Sequence, residues 1–258
     1  MSRVSGVAEL VRLQILRGRI RPGERVNEVL LVEQLRTRRA SLREALRLLE
    51  GRGLLVATES GGMQVIEVDG DGLAEALEVR AALEALSAGL AAGRSRRGQL
   101  SAGALRSASQ LADAPADDRR PAAALFADRR FHLAVDALAG NRPGHVALDH
   151  LWDRIMVGGL CSGSWPLSDA TAAHDHRELL LAIASGDADH ASAIAYRHAV
   201  VTAPGPASEA PEPFQVRQPA RVTPPGGAAA AADRAATPAS HGGAGAGADG
   251  SRAHRRTP

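Results

Sequence analysis

The sequence predicts a mainly α-helical chain, an N-terminal winged helix-turn-helix followed by an all-α helical bundle. Three observations carry this. Helix, helix, turn, helix and two short strand patterns follow one another within residues 1–68. From 69 to 201 the apolar residues recur at helical spacing, and no strand pattern of any length appears. Beyond Thr202 the composition turns to Pro, Gly and Ala with almost no large apolar residues. Such a segment buries too little surface to offset chain entropy, so 202–258 is expected to be a disordered tail.

The elements follow in order. Val7, Leu10, Val11 and Ile15 share one face of a first helix, from about Val4 to Gly18. "RPGER" (21–25) is a turn broken by Pro22 and Gly23, and Arg25 to Asn27 is a short extended piece. Asn27 caps a second helix from Glu28 to about Arg36. Ser41 and Glu44 have capping-box spacing, which starts a third helix near Leu42 and ends it near Gly51 or Gly53. "LLVAT" (54–58) and "MQVIEV" (63–68) are two strands around "ESGG". Helices are then expected over 71–92, 98–112, 120–139 and 144–157. "CSGSWPLSD" (161–169) is a loop, Ser168 caps the next helix, and Asp187 caps a last one reaching about Val201.

Charge is unevenly placed. Residues 1–68 hold 12 Arg against 8 acidic residues, whereas 69–201 hold 13 Arg against 17. A basic head on an acidic body fits a polyanion-binding unit joined to something else. The single cysteine, Cys161, excludes an internal disulfide framework and a multi-cysteine zinc cluster. No apolar run reaches the roughly 18 residues of a membrane span, and Arg12 and Arg17 interrupt any signal-like core. These features lead to the expectation of a soluble, cytoplasmic protein with no membrane partner.

The third helix carries the first functional signal. Leu42, Ala45, Leu46 and Leu49 form its buried stripe, which leaves Arg39, Arg43 and Arg47 off that stripe at its leading end and one turn on. In a helix-turn-helix this helix enters the major groove. Arginine suits both the guanine edge and phosphate. The competing reading of the same residues is a solvated face paired with Glu44 or Glu50. The "ESGG" tip is slim enough to enter a minor groove or lie along the backbone.

"LVEQLRTRRASLREALRLLEGRGLL", with "ILRGRIRPGERVNE" before it and the wing after it, resembles the DNA-binding domain of the GntR superfamily of bacterial transcription regulators. The resemblance implies DNA contacts from Arg38, Arg39, Ser41, Arg43 and Arg47, with wing glycines Gly61 and Gly62 near the backbone. Two departures stand out. The Gly-Val-Ser turn usual in the family is "RTR" (36–38) here, and the usual Thr-Pro is Ala40-Ser41. "LAEALEVRAALEALSAGLAA" (73–92), "ALFADRRFHLAVDALAGN" (124–141) and "HDHRELLLAIASGDADHASAIAYRHAVV" (174–201) resemble the helical FCD effector domain of the FadR-type branch, in its shorter, six-helix version.

The helical half carries the second signal, readable from the residues themselves. Asp128 and His132 are at i and i+4, on a face with Leu125, Phe131 and Val135. A carboxylate there is costly unless paired or bound to metal. His176 lies above Leu179, Leu180 and Ile183, and His198 follows Ala191, Ile194 and Ala195. One carboxylate and three imidazoles suit Zn²⁺, Ni²⁺ or Mn²⁺. For each histidine alone, a satisfied or exposed side chain is the competing explanation, and His174 competes with His176. Taken together, the four match the metal-binding set of the FCD family. Arg80 stands where that family often has an arginine near a carboxylate-bearing effector; its alternative is a salt bridge to Glu84 on an exposed face.

The expectation is a DNA-binding regulator acting as a repressor. It is a homodimer through residues 69–201, binds double-stranded operator DNA through residues 1–68, and responds to a small carboxylate metabolite at a divalent metal. The alternatives are a metal-dependent enzyme, for which no general base or nucleophile is evident, and a ligand-independent nucleic-acid-binding protein, which would not need the Asp/His set.

Overall fold

The computed structural model describes residues 3–112, 121–162 and 169–201. The order is α1 (Arg3–Leu16), α2 (Glu28–Gln34), α3 (Arg39–Gly51), β1 (Leu55–Ala57), β2 (Met63–Val65), α4 (Gly70–Arg96), α5 (Ala102–Ala112), α6 (Pro121–Ala139), α7 (Arg142–Ser162), α8 (Asp169–Ser185) and α9 (Ala188–Val201). The winged helix-turn-helix and the helical bundle are both present, and the two strands of the described chain lie in the wing. The cap expected at Ser168 and most of the 161–169 loop fall outside the described residues, as does the segment from 202. Cys161 belongs to the last turn of α7, which runs further than its periodicity predicted.

The head forms for local reasons. Asn27 accepts the Leu30 N–H at 3.0 Å and starts α2. Leu31 of α2, Leu42, Ala45, Leu46 and Leu49 of α3, and Val7, Val11 and Ile15 of α1 are buried in one apolar cluster. β1 and β2 pair antiparallel, with Leu55 opposite Val65 and Ala57 opposite Met63. The extended piece after the first turn joins them, since Arg25 bridges Gln64 and the Val26 N–H donates to the Met63 carbonyl at 2.9 Å.

The Ser41–Glu44 capping box does not form. α3 begins three residues before Leu42, at Arg39, with Arg38 as an extended N-cap that makes no side-chain bond. The α2–α3 turn sets this start. Thr37 N–H reaches back to the Val32 carbonyl at 3.2 Å and Arg36 N–H to the Glu33 carbonyl at 3.3 Å, the pattern of a Schellman end. Arg36 sits at φ +47°, and among described non-glycine residues no other has a positive φ. This is the place where the resemblance expects glycine. The same closure after α3 uses a glycine, Gly53 at φ +73°.

α4 is the axis of the helical half and packs against α6, α7, α8 and α9. Asp69 caps it by accepting the Gly72 N–H at 2.8 Å. Its small residues Ala81, Ala85, Ala88, Ala91 and Ala92 are buried and let neighbours approach closely. At Gly89 a Cβ would come within 2.5 Å of the Ser192 hydroxyl, which itself donates to the Ala85 carbonyl at 2.9 Å. The apolar cluster of the head continues through Val68, Leu73 and Leu77 to Leu148, Trp152, Ile155 and Met156 of α7.

A charged cluster spans the same junction. Arg12 of α1 donates through Nε to both carboxylate oxygens of Asp153 in α7, at 2.9 and 2.8 Å. Arg52, just past α3, reaches Asp153 at 2.9 Å and Asp149 at 2.6 Å. Arg129 of α6 also pairs with Asp149, and lies 3.7 Å from Asp153.

Candidate metal centre and nucleic-acid face

α6, α8 and α9 each turn one polar position into the apolar interior of the bundle. α6 buries Leu125, Phe131 and Val135 and so also buries Asp128 and His132. α8 buries Leu179 and Ile183 with His176, and α9 buries Ala191, Ile194 and Ala195 with His198. The four polar side chains meet, with one ligand atom from each lying within 4.8 Å of all the others. Oδ1 of Asp128 is the hub, 3.2 Å from His132 Nε2, 3.3 Å from His176 Nε2 and 3.9 Å from His198 Nε2. His176 Nε2 and His198 Nε2 are 3.3 Å apart. His174 is exposed, which removes it as the competitor of His176.

The donor set fits a divalent ion. Ligand atoms about 2.0–2.2 Å from a zinc lie roughly 3.0–4.4 Å from one another, close to the spacing seen. His132 Nε2 is buried and has no hydrogen-bond partner, although it faces the shared centre. An orphaned buried nitrogen of this kind is what a missing ligand bond leaves behind.

Carboxylates stand behind two of the imidazoles, and the sequence gave no sign of either role. His132 Nδ1 lies 3.0 Å from Glu84 Oε2, and His198 Nδ1 lies 3.2 Å from Asp175 Oδ2. Such partners fix the tautomer that leaves Nε2 free to coordinate. Phe131 stacks on His176 with ring centroids 3.8 Å apart. A glutamate four residues after Arg80 was visible in the sequence, but α4 is apolar on several sides, so its direction was not. Asp175 acquires its role only when α9 packs beside α8.

Arg80 is fully buried, which corrects the exposed-face alternative. The pairing with Glu84 is real, with Nε to Oε1 at 2.8 Å, and Nη2 also lies 3.4 Å from Asp128 Oδ2. Its guanidinium stacks 4.2 Å above the Trp152 ring.

The electrostatics follow from this crowding. Burial pulls His132 down, but the charges of Glu84 and Asp128 outweigh it and push it up to about 9. Burial drives His176 down to about 4, helped by the neighbouring His132 charge. Burial opposes ionisation of Glu84, yet Arg80 and then His132 bring it down to about 2. Asp128 is likewise held well below the usual carboxylate range, against burial, first by His132. Both carboxylates are therefore anionic at neutral pH.

The second candidate surface is the leading end of α3 with the wing. Arg38, Arg39, Arg43 and Arg47 are exposed and Ser41 is half-buried, one residue inside the helix start from Ala40. Arg43 pairs with neither Glu44 nor Glu50; its Nε donates to Glu28 Oε2 of α2 at 3.0 Å. Gly61 and Gly62 are exposed at the wing tip with φ +79° and +94°. Thr58 closes that tip by accepting the Gly61 N–H through its carbonyl at 2.9 Å, and Arg25 reaches across to Thr58 Oγ1 at 3.2 Å.

Comparison with known proteins places both halves. Residues 3–65 match the bacterial regulatory proteins of the gntR family, and residues 75–200 match the FCD domain. The chain is 32% identical, over 72% of its length and 82% of the relative's, to the "Probable D-xylose utilization operon transcriptional repressor" of Paenarthrobacter nicotinovorans. It is 42% identical, over 29% of its length and 35% of the relative's, to the Nta operon transcriptional regulator of Aminobacter aminovorans. Its fold is shared with E. coli McbR/YncC, at a TM-score of 0.65 and 22% identity, covering 77% of this chain and 94% of that one. No described helix is long and apolar enough to cross a membrane. The chain belongs to the GntR family of DNA-binding transcriptional regulators, in the group that carries an FCD domain.

Proposed function

We propose that this regulator is a cytoplasmic repressor whose hold on operator DNA is set by a small carboxylate bound at a divalent transition metal. Residues 1–68 are the DNA-binding head and 69–201 the effector and dimerisation domain. The observation that carries the reading is the convergence of Asp128, His132, His176 and His198 beside the buried Arg80. A divalent ion, Zn²⁺, Ni²⁺ or Mn²⁺, and Arg80 face two anionic side chains, Glu84 and Asp128. That leaves one net positive charge in a buried place, which a single carboxylate neutralises. The ion supplies open coordination positions; the chain supplies the imidazoles and carboxylates that hold them in place.

A homodimer through the helical domain is supported by α4. Val79 and Leu90 are exposed there at 52% and 38%, with half-buried Leu83 and Leu86 between them on one stripe. Two heads on one dimer match a near-palindromic operator. Arg38, Arg39, Ser41, Arg43 and Arg47 face the major groove, and Gly61 and Gly62 let the wing approach the backbone.

The test is a gel-shift titration of the protein on its own promoter region at low salt, with and without added metal, then with a panel of small carboxylates and with D-xylose. A carboxylate that shifts the midpoint in the metal-loaded protein, and has no effect on the Arg80→Ala variant, is the expected result. Absence of any promoter binding refutes the regulator reading. A response to the neutral sugar alone refutes the carboxylate.

A further inference from the structure

The side chain of Arg43 is 67% exposed, yet it is not loose. Its Nε donates at 3.0 Å to Glu28 Oε2, whose side chain is 28% exposed. The partner sits on a different helix, 15 positions away, at the start of α2 where Asn27 fixes the cap. Arg38, Arg39 and Arg47, exposed on the same end of the head, have no ion pair among the described residues. The one arginine held in place is the one on the face of α3 that follows its first turn.

The atom used in this bond matters. A guanidinium gripped at Nε keeps the far edge, Nη1 and Nη2, as two parallel donors. Guanine presents O6 and N7 as two adjacent acceptors in the major groove, and the fork fits them. Neither terminal nitrogen of Arg43 has a described partner. An exposed arginine that must find this pose at docking gives up rotamer freedom; one already gripped gives up less. Glu28 also has an electrostatic reason to sit at the start of α2, where the helix end favours an anion. That reason alone predicts only helix stability and repulsion from DNA phosphate.

We infer that Glu28 is a positioning residue for DNA readout: it holds Arg43 by Nε and so aims the Nη1–Nη2 edge at one guanine of the operator. The inference rests on the placement of α3 in the major groove. Glu28 touches no base. It acts on sequence preference through Arg43, and it lowers overall affinity slightly by its own charge.

The experiment is selection from a pool of DNA duplexes randomised over the binding site, with full-length wild type, Arg43→Ala, Glu28→Ala, Glu28→Gln and the Arg43→Ala/Glu28→Ala pair. One guanine position should lose its preference in Arg43→Ala, by roughly the 5- to 150-fold that one bidentate contact supports. Glu28→Ala should lower the preference at that same position by about threefold or more and leave the others within twofold. Glu28→Gln, which keeps an acceptor and the α2 cap, should fall between, and it serves if the alanine variant does not fold. In the Arg43→Ala background Glu28→Ala should change nothing. Unchanged preferences with uniformly tighter binding in Glu28→Ala would reduce Glu28 to a bystander charge and overturn the inference. So would wild-type binding in which Arg43→Ala alters no base preference, a result that leaves the regulator reading intact. Failure of the wild type to select any duplex overturns both.

Discussion

Replacing Asp153 by alanine should be among the most damaging single changes in the chain. Its carboxylate is 1% exposed and accepts from Arg12 and Arg52 at once. Arg12 is itself buried, at 5%, and beyond Asp153 it has Glu9 at 2.9 Å, which is 44% exposed, and Asp149 at 3.8 Å. Without Asp153, three guanidinium groups share the half-buried Asp149. Burial opposes the charge on Arg12, but Asp153 reverses this and raises it overall. Arg129 goes the other way, lowered by burial and by the Arg12 charge, and its Nε is already unsatisfied. Removing one partner of a buried pair costs about 3–5 kcal/mol. At roughly 2–4 °C per kcal/mol for a chain of this size, Tm should fall by about 6–20 °C. Thermal and urea denaturation followed by circular dichroism measure this directly. Asp153→Leu combined with Arg12→Leu should recover part of the loss, because it removes the buried charge along with its partner. A Tm within about 2 °C of wild type for Asp153→Ala would refute the view that this cluster holds α1 and the end of α3 onto α7.

Three further outcomes follow from the same geometry. Arg36→Gly should raise stability by up to roughly 1 kcal/mol in urea denaturation, because glycine meets φ +47° without the Cβ penalty and that gain exceeds its greater unfolded-state entropy. Asp149 is held below the ordinary carboxylate range: burial opposes this, and Arg52 and Arg129 prevail. Its contribution is therefore complete above the unfolded carboxylate pKa of about 4 and disappears as pH falls through the lower folded value, so Asp149→Asn should flatten the acid side of a stability–pH curve. Chelation should lower the Tm of protein purified with metal, barely change that of His176→Ala, and act on His174→Ala as on wild type, with elemental analysis of each protein reporting the ion. Less than a tenth of an equivalent of metal after incubation with excess Zn²⁺, Ni²⁺ or Mn²⁺ would leave the Asp/His cluster a polar core only.

Much of the fold was written in periodicity and caps. Asn27 and Asp187 cap where their side chains predicted, and the hairpin follows from "LLVAT" and "MQVIEV" around two glycines. The failures share a physical cause. Ser41 and Glu44 have the spacing of a capping box, but local spacing cannot tell that the turn before α3 closes on Arg36 and starts the helix at Arg39. Which side of α4 Arg80 occupies was also hidden, because alanines and leucines occur around most of that helix. Glu28 and Arg43 are separated by 15 positions on two helices, and only the angle of the helix-turn-helix brings them together.

Asp128 and Arg129 show the limit of pattern reading most directly. They are neighbours in sequence, and helical geometry turns their side chains about 100° apart. Asp128 points to the three imidazoles, whereas Arg129 points to Asp149 and Asp153, which also hold the head. An apolar stripe identifies the inward face of α6 and so finds Asp128 and His132. It gives no reason to single out Arg129, which looks like a solvated edge residue until α7 is packed beside it. The helix is thus shared between the Asp/His cluster and the head–bundle junction by two consecutive residues. Any rotation of α6 that improves coordination at Asp128 must also move the guanidinium of Arg129 relative to Asp149. The two networks are not mechanically independent, and substitutions at Arg129 belong with the junction even though its neighbour belongs to the cluster.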